Sequence, residues 1–217
     1  MKLFRTAAMA AGILLSGAIA TGASAASLTI TDVETGNGDL GNITVPGYGQ
    51  PWTTPILFTD SKGATFVVFC DDLDHTVNVG GGQSLPYETG RVTVDGLGRA
   101  LSESTSNRMG QLAEIGIVDY DHHNENGAIA AQAAIWDIEY GVDVTSTDPV
   151  LSALIADDLN VKDNMKGFAF GLISDDGHQS QLTGGVPEPA TWGMMLVGFG
   201  GLGVAMRAAR RRRAATA

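Results

Sequence analysis

The chain has 217 residues and a mass of 22.5 kDa, room for one domain and little more. Its composition, 44% hydrophobic, 17% charged and 6% aromatic, excludes a wholly disordered chain and a multi-span membrane protein. Seven of the 13 basic residues sit at the two ends, so between Ala26 and Gly185 six basic residues face 23 acidic ones, a balance that repels phosphate backbones and argues against nucleic-acid binding.

Residues 1–25 read as a secretory signal peptide. Lys2 and Arg5 supply a positive start, Ala7 to Ala20 an apolar stretch, and Ala23-Ser24-Ala25 a small-residue cleavage site. The mature chain then begins near Ala26 and is exported.

The body, residues 26–184, is expected to be a single α+β domain with strands first, a central helical block and a closing strand. Leu28 to Val33 alternates, Thr65 to Phe69 is rich in β-formers, and Arg91 to Val94 ends a stretch punctuated by Gly and Pro. Gly47 to Pro51 and Gly80-Gly81-Gly82 read as loops. Leu97, Leu101, Met109, Leu112 and Ile115 suggest one broken helix or two short ones, interrupted near Ser102 to Asn107. Ile129, Ala133, Trp136 and Tyr140 form a helical stripe that starts after Asn126 and stops at Gly141. A third helix takes Asp148 as N-cap and Pro149 as its first residue, with Leu151, Leu154 and Ile155 on its apolar face. Phe168 to Ile173 is the expected closing strand.

After the body, Val186-Pro187-Glu188-Pro189 breaks any preceding structure, because two prolines within three residues cannot continue a helix or a central strand. Seventeen uncharged residues follow, Ala190 to Met206, and then Arg207 and the run Arg210, Arg211, Arg212 and Arg213. As a helix the apolar run spans about 25 Å, the short end of what crosses a bilayer. The arginine cluster would stay on the cytoplasmic side. This order resembles the PEP-CTERM sorting signal of Gram-negative bacteria, here residues 185–217: a Pro-Glu-Pro motif, a transmembrane helix and a terminal Arg cluster. The resemblance implies processing by an exosortase near Pro187 to Pro189. It also implies a transient inner-membrane anchor, then a place at the cell surface or in the exopolysaccharide matrix.

Two residues of the body stand out. Cys70 is the only cysteine, so no internal disulfide is possible. It ends an apolar run and precedes Asp71 and Asp72, a position where a buried strand meets a polar edge. A buried, inert thiol is one account of it. Gln132 projects from the apolar stripe of its helix among Ala130, Ala131, Ala133 and Ala134. Its carboxamide is either hydrogen-bonded to backbone or consumed in a bond.

Phe69-Cys70 followed by Ala-Ala-Gln-Ala-Ala-Ile-Trp, Ala130 to Trp136, resembles the thioester domains of bacterial surface adhesins. The resemblance implies that the Cys70 thiol and the Gln132 side chain condense with loss of ammonia into an internal thioester, with Phe69 and Trp136 as supporting packing residues. Such a bond couples once to an amine-bearing surface or matrix component and does not turn over. The implied roles are adhesion or matrix cross-linking.

Other readings stay open. A passive structural protein of the exopolysaccharide or biofilm matrix needs no covalent chemistry. A cysteine hydrolase would need a base for Cys70 from His75, His122, His123 or His178. No cofactor is implied and no metal site is expected. Asp119, Asp121, His123 and Glu125 alternate, but Asn124 stands where a calcium loop requires Gly. Asp71, Asp72 and Asp74 read as a solvated acidic loop.

Overall fold

The computed structural model describes residues 26–36, 42–161, 169–174 and 177–184. The expected signal peptide and the sorting segment, including Pro187, Glu188, Pro189 and Arg210 to Arg213, lie outside the described residues.

The expected α+β class holds. Its strands form a closed antiparallel barrel in the order β1-β3-β4-β8-β7-β5, from β1 (Ala26–Thr35), β3 (Ile56–Asp60), β4 (Thr65–Cys70), β5 (Gly80–Arg91), β7 (Phe170–Ile173) and β8 (Gln181–Thr183). The barrel closes where β1 pairs with β5, Ala26 opposite Thr89 and Ile30 opposite Leu85. A separate two-stranded ribbon joins β2 (Ile43–Thr44) to β6 (Thr145–Ser146). Among the described residues three helices complete the fold: α1 (Glu103–Asp121), α2 (Glu125–Tyr140) and α3 (Pro149–Leu159).

Sequence and structure part company at several places. Gly80 to Gly82 open β5 and are not a loop, while the strand expected at Arg91 to Val94 stops at Arg91. Glycine admits the positive φ of 130° at Gly80 and 78° at Gly82, so the strand edge can bend where β1 changes register between Ile30 and Asp32. The helix expected to break near Ser102 to Asn107 begins there instead. The Ser102 hydroxyl accepts from Thr105 N as an N-cap, which leaves Leu97 and Leu101 outside α1. α2 starts at Glu125, capped by Asn124, and ends at Gly141 with φ 64°. α3 is capped by Asp148 with Pro149 in its first turn, as the sequence indicates.

β4 reads as an unbroken apolar run because both its faces are covered. Val68 belongs to the barrel interior with Ile30, Val33, Phe58, Tyr87 and Leu172. Val67 and Phe69 pack outward against Met109, Leu112 and Ala113 of α1 and Ala134 and Ile135 of α2. Gly116 lets α1 lie this close, since a Cβ there would collide with the Phe69 ring and press on Ala131. α2 is buried nearly all round, as its alanine-rich sequence requires, between α1 on one side and α3 with the β2–β6 ribbon on the other. The barrel end of β4 is thereby driven directly under the middle of α2.

Candidate functional site

Cys70 is the last residue of β4, and Gln132 lies midway along α2. They are 62 positions apart in the chain, and the fold brings the two together. The Cys70 backbone N–H donates to Gln132 Oε1 at 2.7 Å, and Gln132 Nε2 donates to the Cys70 carbonyl at 2.8 Å. Both ends of one carboxamide therefore grip one residue's backbone. Cys70 is 5% exposed and Gln132 1%.

Trp136, one turn after Gln132, shares a buried cluster with Cys70, Ala133, Ile129 and Tyr140. Of the four residues expected at the site, the structure brings Cys70, Gln132 and Trp136 together. Phe69 points the other way, into the cluster beneath α1. Strand alternation separates it from its neighbour.

The Cys70 Sγ donates to the Asp72 carbonyl at 3.1 Å. Burial pushes the thiol well above its ordinary pKa; the Asp72 backbone contact opposes this, and the charges of Asp71 and Glu139 add to it. The Trp136 indole N–H makes no regular hydrogen bond, yet lies near enough to lower the thiol's pKa slightly. The sulfur is a thiol at neutral pH, shielded from bulk water.

The strip that follows Cys70 is pinned from several elements. Tyr140 Oη donates to the Asp71 carbonyl at 3.2 Å and accepts from Leu73 N at 3.0 Å. Gln179 Nε2 donates to the carbonyls of Asp72 and His75. Asp72 Oδ1 accepts from the N–H groups of Asp74 and His75, and its Oδ2 pairs with His75 Nδ1 at 2.7 Å. His75 is thus engaged by Asp72 and not by Cys70.

The acidic loop expected to be solvated is not so at its start: Asp71 and Asp72 are buried, and sequence reasoning also passed over the buried Glu139 near the thiol. Asp71 is 5% exposed, and burial together with the charge of Asp72 pushes its pKa up to about 8. Glu139 is equally buried, accepts from Gly96 N at 3.2 Å, and is raised well above the carboxylate range by burial and then by Asp71. One oxygen of each, Asp71 Oδ1 and Glu139 Oε2, has no hydrogen-bond partner. A signal for Glu139 was present: residues 132, 136 and 139 fall on one helical face, where an acid is out of place.

Within the run Asp119 to Glu125, Asp119 and Asn124 have a structural task. Asn124 caps α2 through Gly127 N, and its amide donates to Asp119 at 2.9 Å. Among the described residues, no group of three or more His, Cys, Asp and Glu side chains is placed to hold a metal ion. Among them, too, no helix is long and apolar enough to cross a membrane.

Comparison with known proteins adds to this geometry. Residues 185–213 match the PEP-CTERM protein-sorting motif, which implies export and processing by an exosortase. No curated protein sequence matches the chain. Among solved structures, the N-terminal thioester domain of a surface protein from Clostridium perfringens is similar, with 17% identity, a TM-score of 0.44, and 73% of this chain and 98% of that one covered. The Bacillus anthracis TIE protein is similar at 11% identity and a TM-score of 0.36, with 66% of this chain and 26% of that one covered.

Proposed function

We propose that this exported, exosortase-processed protein reaches the cell surface or the surrounding matrix and there couples covalently to amines through a thioester between Cys70 and Gln132. The observation that carries this reading is the two-point pairing of the Gln132 carboxamide with the Cys70 backbone, in a site closed to water. That pairing fixes the carboxamide beside the residue whose thiol would attack it, the arrangement in which proximity replaces a catalyst. In the closing step Sγ bonds to Gln132 Cδ, the C–N bond breaks, and the thiol proton leaves with the nitrogen as ammonia. An amine later attacks the same carbonyl, forms an amide and releases the Cys70 thiol. Each molecule reacts once, so this is capture and not turnover.

The same two hydrogen bonds also favour a second reading. They give each polar atom of the carboxamide a partner, so Gln132 could serve as a buried clamp on β4 in a passive matrix protein. Intact mass separates the two. A thioester lowers the mass of the purified chain by one ammonia, blocks thiol reagents after denaturation, and lets methylamine add at Gln132. A full equivalent of free thiol with an intact Gln132 amide would overturn the capture reading and leave the clamp.

A further inference from the structure

Among the described residues, the buried side-chain polar atoms without a hydrogen-bond partner are Asp71 Oδ1, Trp136 Nε1, Glu139 Oε2 and Gln181 Oε1. All belong to residues around Cys70. Asp71 follows it in the chain, Gln181 stands opposite it across β4 and β8, Trp136 shares its buried cluster, and the charge of Glu139 reaches its thiol. The Trp136 indole nitrogen differs from the three oxygens, because it can only donate. It bonds none of those oxygens, since each of them is also without a partner. A buried N–H left without an acceptor is costly, and native structures keep few of them. Its place in the fold indicates what it waits for. Trp136 lies one turn after Gln132 on the same face of α2, and Gln132 holds the Cys70 backbone at both ends of its carboxamide. The sulfur is fixed too: Sγ donates to the Asp72 carbonyl, in a strip pinned by Tyr140 and Gln179. Burial and the charges of Asp71 and Glu139 disfavour an anion on that sulfur, whereas the Asp72 backbone and the Trp136 side chain favour one.

We propose that the Trp136 indole N–H is the hydrogen-bond donor that receives the Cys70 sulfur as negative charge develops on it during opening of the thioester. The proposal rests on the thioester reading given above and concerns the leaving sulfur, not the incoming amine. The lone pair of the neutral amine forms the C–N bond at Gln132 Cδ. The C–S bond breaks with its electron pair going to Cys70 Sγ, and a proton leaves the nitrogen for that sulfur. The yield is one amide and one thiol. Trp136 keeps its own proton throughout; its hydrogen bond strengthens while the sulfur is charged, as bonds to ionised acceptors do. A donor that is idle in the resting site and engaged during the reaction is well placed to lower the barrier, because no existing bond must break to free it. Closing of the thioester passes through the same charged sulfur and draws on the same donor.

The test follows thioester opening in the full chain by intact mass, with methylamine and with water as nucleophiles. Trp136→Phe keeps a buried ring and removes the N–H. Benzothienylalanine placed at the same position keeps the outline of the indole and puts sulfur where the N–H was. Both substitutions are expected to slow opening by methylamine and by water alike, about ten-fold, with the urea midpoint of the benzothienylalanine chain nearly unchanged. A Trp136 that only fills space predicts otherwise: the smaller phenylalanine would admit water and speed hydrolysis, and benzothienylalanine would change neither rate. Unchanged or faster opening of the benzothienylalanine chain overturns the proposal, whatever Trp136→Phe does. A benzothienylalanine chain that folds with the urea midpoint of the unsubstituted chain yet keeps its ammonia supports it, because closing needs the same donor. Failure of the thioester reading is told apart, because then the unsubstituted chain itself loses no ammonia and takes up no methylamine, and the proposal falls with it.

Discussion

Gln132 holds Cys70 by the backbone and not by the sulfur: its Oε1 takes the Cys70 N–H at 2.7 Å and its Nε2 gives to the Cys70 carbonyl at 2.8 Å. The pairing ties the end of β4 to the middle of α2 whatever the sulfur does. Structural and chemical roles of this one side chain can therefore be separated by substitution. Gln132→Ala leaves two buried backbone groups without these partners and is expected to cost about 2–4 kcal/mol in chemical denaturation. In Gln132→Glu a protonated carboxyl can accept from and donate to the same backbone groups, so stability at mildly acid pH should be largely kept while amine uptake is lost. Loss of uptake in Gln132→Ala but not in Gln132→Glu would sink the assignment of Gln132 as acyl donor.

Cys70 gives the converse test. Cys70→Ser keeps a donor of similar size for the Asp72 carbonyl and should fold with a stability change of about 1–2 kcal/mol at most. It removes the sulfur, so mass spectrometry should show no loss of ammonia and no methylamine adduct. An adduct at Gln132 in that variant would mean that the amine is taken up without a thioester.

Trp136 serves the fold by filling space. It is 1% exposed and its N–H has no regular acceptor, so the ring and not the polar handle does the packing. Trp136→Phe should change stability by only about 1 kcal/mol, whereas Trp136→Ala should cost about 3–5 kcal/mol and let water reach the Cys70 sulfur. Faster hydrolysis of the thioester in Trp136→Ala would appear as a gain of one water in the mass. An unchanged lifetime would show that Trp136 does not shield the bond.

Much of this site was legible from residue order. A cysteine at the end of an apolar run and a glutamine on an alanine-rich helical stripe are each out of place, and the fold sets them in contact. Helix caps were legible where one side chain decides them, as at Asp148 and Gly141. The barrel was not, because closure depends on the long-range pairing of β1 with β5 and on the short β7 and β8, which carry little periodic signal. Asp71 and Glu139 were hidden for a related reason. Acidic residues are ordinarily solvated, and only the packing of α2 and the 94–99 segment over the strip after Cys70 encloses them.

Gly116 is the hinge of the packing that delivers α2 to β4. A Cβ at this position would strike the Phe69 ring and approach Ala131 at 3.0 Å. Alanine is the better helix former by about 1 kcal/mol, so propensity alone favours Gly116→Ala. The collision with a fully buried ring should outweigh that gain, for a net loss of about 1–3 kcal/mol. A stabilised Gly116→Ala variant would show that α1 can shift off Phe69 without cost.

The buried acids set the pH dependence of stability. Asp71, raised from an ordinary value of 3.8 to about 8, keeps its proton in the folded chain over a range where the unfolded chain has lost it. Its stabilising contribution is complete below about pH 4 and is lost as pH rises towards 8, because the folded state binds the extra proton. Glu139, raised by its own burial and by Asp71, acts in the same direction. The domain should therefore unfold more readily at pH 8.5 than at pH 5.5, the opposite of a protein held by ionised carboxylate pairs, with a difference on the order of a few kcal/mol. Asp71→Asn removes the titrating group while keeping its shape, so its stability should vary less with pH and exceed that of the unsubstituted chain at pH 8.5. Urea midpoints of both chains across this range check the claim, and parallel curves would show that Asp71 does not carry the proton.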